Sequence, residues 1–167
     1  MKRLARPRAP RAPEGGFTML ELVAALAILA ILAMVTLPTL RLDVQRTRER
    51  QLHAALAEIR AAIDAYKRAS DDGRIQAGEG ASGYPPSLQV LAQGVVDASR
   101  TDGRRLYFLR RVPRDPMHGD ETVPAAATWG LRSYASPPEK PEPGADVFDV
   151  HSLSPATGLD GRPYREW

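Results

Sequence analysis

No cysteine occurs among the 167 residues. That excludes disulfides, lipid attachment at a cysteine and thiolate metal sites, so stability must come from packing or from a bound ion. Histidine is almost as scarce. His53, His118 and His151 stand alone, with no partner at metal-ligand spacing. Catalytic signatures are missing too: there is no Gly-x-Ser-x-Gly, no phosphate-binding glycine loop and no paired-carboxylate pattern. Asp149, His151 and Ser152 are too close along one chain to converge as a triad on a strand, where neighbours point to opposite faces. The expectation is a protein that is not an enzyme and requires no cofactor.

An excess of charge is also lacking once position is considered. The formal net charge is +3 and the pI about 9.5. Five of the 23 Lys+Arg (Lys2, Arg3, Arg6, Arg8, Arg11) and one of the 20 Asp+Glu (Glu14) fall in residues 1–16, leaving 18 basic and 19 acidic side chains beyond them. The basic balance belongs to the leading segment. No nucleic-acid partner is expected, because that needs a basic face that persists in the working protein.

What is present is one long apolar run. Leu22 to Leu37 carries no polar side chain except Thr36. From Phe17 to Leu40 there is a single charge, Glu21. A helix of that length spans about 36 Å at 1.5 Å per residue, enough for a hydrocarbon core of about 30 Å. The basic residues before it predict a cytoplasmic N-terminus and an exported body. Arg41, Arg46, Arg48 and Arg50 follow the run, with Asp43 and Glu49 among them, which weakens that argument. Glu21 is the informative residue, since a lone acid at the head of a span is costly and reads as functional.

Gly16-Phe17-Thr18-Met19-Leu20-Glu21, between a basic leader and an apolar run, resembles the cleavage site of type IV prepilins and type II secretion pseudopilins. The resemblance implies cleavage after Gly16 by a prepilin peptidase, N-methylation of Phe17 as the new N-terminus, and a role for Glu21 in assembly. Pro38 stands at the distance where the family carries a helix-bending proline. It also reads as a residue that ends the span. Other readings of the apolar run are a secretory signal peptide, an unprocessed anchor and a buried core helix. A signal peptide wants a small-x-small site after the run, and Ala30-Ile31-Leu32-Ala33 is a poor one.

Beyond the span, Leu52, Leu56, Ile59, Ile63 and Tyr66 recur at helical spacing. They predict an amphipathic helix to about Arg68, ended by Asp71-Asp72-Gly73. Residues 71–83 read as a loop, and Ser87 as the cap of a short helix through Gln93. Residues 94–103 read as irregular and Leu106–Leu109 as a short apolar segment, helical in tendency. Arg111 to Pro116 read as a rigid extended turn. Leu131–Ala135 and Val147–Val150 are strand candidates, and Gly158–Pro163 a turn closed by Tyr164 and Trp167. Tyr66, Tyr107, Phe108, Trp129 and Trp167 read as core aromatics.

Tyr84 to Leu88, Arg111 to Pro116, Trp129-Gly130, Phe148 to Val150 and Trp167 narrow the resemblance. They are similar to the major pseudopilins of type II secretion, the general secretion pathway protein G family. That likeness implies an α+β pilin-like fold: a long N-terminal helix, transmembrane in one half and amphipathic in the other, packed on a small antiparallel sheet. The domains expected are a removed leader (1–16), a transmembrane and assembly helix (17–40) and an exported, periplasmic globular domain (41–167). The partners implied are a prepilin peptidase, other pseudopilins and further copies of the chain in a helical filament, an inner-membrane assembly platform with its ATPase, and a secretin. A type IV pilus subunit and a non-polymerising membrane-anchored binding module are the alternatives.

The family also binds calcium in its C-terminal loop. Calcium takes six to eight oxygens, usually with several carboxylates. Here Asp160 and the Leu153 carbonyl are the candidate ligands, with Asp146 or Asp149 upstream. The family's run of acids before the final tryptophan is replaced by Asp160-Gly161-Arg162-Pro163-Tyr164-Arg165-Glu166, so Asp160-Gly161 also reads as a simple turn.

Overall fold

The computed structural model describes residues 18–78 and 80–167, and within helix α1 it leaves the side chains of 34–41 aside. Two compact units are present, Met1–Leu42 and Asp43–Trp167. The elements are α1 (Met19–Asp71), α2 (Leu88–Gln93), β1 (Val95–Val96), β2 (Arg105–Leu106), β3 (Trp129–Arg132) and β4 (Asp149–Ser152). Single 3-10 turns occupy Ala125–Thr128 and Tyr164–Glu166. The fold is α+β, with one long N-terminal helix and small antiparallel sheets, an arrangement compatible with a pilin-like fold. Among the described residues there are, in place of one sheet, two separate pairs, β1 with β2 and β3 with β4.

The 53-residue α1 begins at a cap. The Thr18 hydroxyl oxygen accepts the Glu21 amide at 3.2 Å, satisfying one of the amide groups left free in a first turn. The helical backbone runs through Pro38 rather than stopping there. It ends in a Schellman motif: the Arg74 amide reaches the Ala69 carbonyl at 2.9 Å and the Gly73 amide reaches Ser70 at 3.0 Å. Gly73, at φ 69°, supplies the left-handed residue this closure needs. The sequence reading stops this helix at Arg68, one turn early.

The globular unit is built on one face of α1. Leu52, Leu56, Ile59, Ile63 and Tyr66 are all buried, joined by Ala55, Ala62 and Ala69. The opposing wall is Leu88 and Leu91 of α2, Leu109, Trp129, Val147, Val150 and Tyr164. The small residues at 55, 62 and 69 let neighbouring chain come close, and the large ones fill the space between.

The short segments named above close on one another. The Pro85 carbonyl accepts the Val147 amide at 2.8 Å. The Tyr84 and Phe148 rings meet edge-on at 4.9 Å. The Trp129 indole donates to the Pro113 carbonyl at 2.8 Å. Buried Asp115 accepts the Ser152 hydroxyl at 2.6 Å and the Met117 amide at 2.7 Å. Gly130 is required where it stands, because a Cβ there would lie 2.2 Å from His151 Nε2 across the β3–β4 pair.

Several local expectations change. Both longer strands are displaced from their expected places: β3 is Trp129–Arg132 rather than 131–135, and β4 is Asp149–Ser152 rather than 147–150. The Ser133 amide instead bonds the Glu142 carbonyl, which takes 133 out of the ladder. Arg105–Leu106 is a strand, not helix, and pairs with Val95–Val96 inside the stretch read as irregular. Ser87 stands at the N-cap of α2 but makes no side-chain capping bond. Tyr107 is 63% exposed and is not a core aromatic.

Candidate functional site

The N-terminal candidates fall into two groups. Gly16, Phe17 and the leader lie outside the described residues. Glu21 is described, in the first turn of α1, with its backbone tied to Thr18. Thr18-Met19-Leu20-Glu21 therefore has the spacing of a capping box, a local signal the sequence reading overlooked. That spacing offers a second explanation of the glutamate, to be separated from assembly. A carboxylate in the first turn is also favoured by the positive end of the helix dipole.

From Thr18 to Ala33 every described residue of α1 is exposed. Met19 and Leu20 are 83% and 79% exposed, and Val23, Leu26 and Ile28 on the following turns exceed half. A helix apolar on all sides has no self-contained solution in water. Its surface asks for lipid or for other apolar helices. Among the described residues no helix is long and apolar enough to cross a membrane; the continuously described part of the run stops at Ala33.

The carboxylates considered for calcium go to separate partners. Asp160 accepts the Arg162 amide at 3.0 Å and its guanidinium at 2.8 Å, and these hold its carboxyl below the usual range. Asp146 takes the Ser82 hydroxyl and the Tyr134 amide. Asp149 binds Arg60 at 2.8 Å and Arg132 at 3.5 Å. Leu153 is half-exposed on the chain after β4. Among the described residues no group of three or more His, Asp or Glu side chains could hold a metal ion. The Arg162 cation stands beside Asp160 where a divalent ion would have to bind, so the donor set fits calcium poorly.

Protein groups fasten the tail to α1. Glu49 accepts from the Leu159 amide at 2.9 Å, the Tyr164 hydroxyl at 2.8 Å and Gln45 at 3.1 Å. The His53 ring stacks on Trp167 at 4.2 Å. Arg60 donates to the main-chain oxygens of Trp167 and Val150 at 2.7 and 3.1 Å. Glu49 and His53 were not singled out for this in sequence. The signal was there: Gln45, Glu49 and His53 repeat every four residues, on one helix face beside Leu52 and Leu56. Millimolar calcium is therefore expected to move the melting point of the full chain in neutral detergent by about 1 °C or less, the effect of a site no more than half filled. A rise of several degrees over chelator would make Asp160 a true ligand.

Asp149, His151 and Ser152 do not converge. Ser152 bonds Asp115, Asp149 bonds Arg60, and His151 lies over Gly130. Burial pushes the His151 imidazole below its ordinary value, against the opposing pull of Asp149.

Residues 11–37 match a family model described as the prokaryotic N-terminal methylation motif. The match supports a type IV pilin-like precursor. It implies processing by a prepilin peptidase, membrane anchoring and pilus-like assembly with other subunits. No curated protein and no solved structure matches the chain.

Proposed function

We propose that the chain is a structural, non-enzymatic subunit of a type II secretion pseudopilus. It would be held in the bacterial inner membrane by the 17–40 segment, with the 41–167 domain in the periplasm. Cleavage after Gly16 frees an amine on Phe17, which is then methylated. Glu21 of one copy offers its charge to the Phe17 amine of a neighbour. An unpaired carboxylate in lipid costs several kcal/mol, so this pairing favours addition in register. A head-to-tail contact that does not close on itself yields a helical filament. An ATPase-driven platform would extend that filament toward a secretin.

The observation that carries this reading is the methylation-motif match over 11–37, which takes in the Gly16–Phe17 junction and the apolar run to Leu37. That motif is shared with type IV pilus subunits. The choice of a secretion pseudopilus rests on Tyr84 to Leu88, Arg111 to Pro116, Trp129-Gly130, Phe148 to Val150 and Trp167. Intact-mass analysis of membrane-extracted protein is expected to give a chain starting at Phe17 with one added methyl group. A mature start near Met34 would place the chain with signal-peptidase substrates and end this reading. Deletion of the gene is then expected to stop export through the secretin while leaving surface pili in place; the reverse outcome would assign a pilus.

A further inference from the structure

A cleft of about 590 Å³ opens beside the β1–β2 pair, lined by Arg74, Arg100, Arg104, Arg105, Asp97 and Tyr107 among others. Four guanidinium groups stand here against two carboxylates, Asp97 in the lining and Asp102 on Arg100, a local excess of positive charge. None of the residues named above for processing and assembly lines it.

Three of the four arginines are held by protein acceptors. Arg74 Nη2 donates to Asp97 Oδ2 at 2.6 Å, and Asp97 is itself 1% exposed and braced by Ser99. Arg100 grips Asp102 through Nε and Nη2 at 3.0 and 2.8 Å. Arg105 Nη2 donates to the Gly94 carbonyl at 2.7 Å. Arg104 spends only its backbone on the hairpin: its carbonyl takes the Asp97 amide and its amide reaches Asp102. Its guanidinium has no hydrogen bond or ion pair among the described residues. Three of the cations are thus positioned before any ligand arrives, which lowers the ordering cost of binding, and Arg104 brings uncommitted donors.

Tyr107 forms a wall. Its ring lies so close over Gly94 that a Cβ on that glycine would meet it at 2.8 Å. With φ at 75°, Gly94 has a backbone conformation suited to glycine. The ring is fixed yet largely exposed, a flat surface beside the cations.

We propose that this cleft binds a phosphate-bearing ligand. Arginine forks match phosphate oxygens in pairs, as point-charge lysines do not. The four arginines line one cleft of limited volume, so the fit is to a small ion of high charge density rather than to an extended acidic peptide. The volume exceeds that of a phosphate alone, and the organic part of the ligand lies against Tyr107. The phosphate can come from a soluble compound or from an anionic lipid headgroup.

The test uses the full chain in neutral detergent. Inorganic pyrophosphate is titrated calorimetrically, and in a second arm mixed micelles carrying phosphatidylglycerol are compared with phosphatidylcholine micelles. Saturable binding is expected in at least one arm. Pyrophosphate alone identifies a soluble ligand, and phosphatidylglycerol alone a headgroup. Arg104→Gln is expected to weaken binding about tenfold and Arg104→Lys less, both with an unchanged melting point, since Arg104's guanidinium makes no hydrogen bond or ion pair among the described residues. The Gln variant also separates this cleft from the basic leader. Binding in neither arm, equal binding by parent and Arg104→Gln, or a response to polyglutamate without one to phosphate would each overturn the proposal.

Discussion

Replacing Ile59 by alanine is expected to lower the unfolding free energy by about 2–5 kcal/mol, the range for removing a fully buried aliphatic side chain and leaving part of a cavity. Ile59 is 0% exposed at the middle of the buried face of α1, between Leu56 and Ile63. Chain from both sides closes over this face, with α2 contributing Leu88 and Leu91 and β4 contributing Val150. Few of those groups can move in to fill the space without breaking another contact. Denaturant unfolding of the detergent-solubilised chain, followed by tryptophan fluorescence, measures the effect. Asp64→Ala on the exposed side of the same helix is the control, expected to change stability by no more than about 0.5 kcal/mol. An Ile59 variant as stable as that control would mean that the face does not carry the fold.

That experiment probes the part most legible in sequence. The stripe from Leu52 to Tyr66 is local information, written at the spacing of one helix face, and every residue of it is buried. Helix ends read nearly as well, because Gly73 and Ser87 are turn and cap signals within a few residues of the boundary. Strand bounds did not, because a strand is defined by its partner. Residues 131–135 were a strand candidate, but the ladder starts at Trp129, where Gly130 can face His151, and stops when Ser133 turns to Glu142. β1 and β2 are two residues each and carry no period to detect. Tyr107 looked apolar by type, whereas it stands exposed just after the pairing of Arg105–Leu106 with 95–96, which no local pattern displays. The tail shows the same division. Tyr164 and Trp167 were readable as its anchors, but Glu49, more than a hundred positions away, became meaningful only when α1 and the tail were side by side.

Glu21 is where sequence and structure supply competing explanations, and a pair of substitutions separates them. The resemblance makes its charge a partner for a neighbouring copy's Phe17 amine. The structure places it at the third residue of α1, with its amide on the Thr18 hydroxyl, where a glutamate also serves a capping box. Glutamine satisfies a capping box about as well as glutamate but carries no charge, whereas alanine does neither. If the residue acts through its charge, Glu21→Gln and Glu21→Ala both abolish filament formation and export, and both still insert, since removing a charge makes insertion into lipid easier. If it acts as a cap, Glu21→Gln assembles like the parent and only Glu21→Ala fails, through a loss of helix stability of order 1 kcal/mol. Filament yield after shearing and secreted-protein level, with membrane fractionation as the insertion control, read out the difference. The expected result is complete loss of assembly in both variants with unchanged membrane content; parental assembly by Glu21→Gln would end the charge-pairing mechanism.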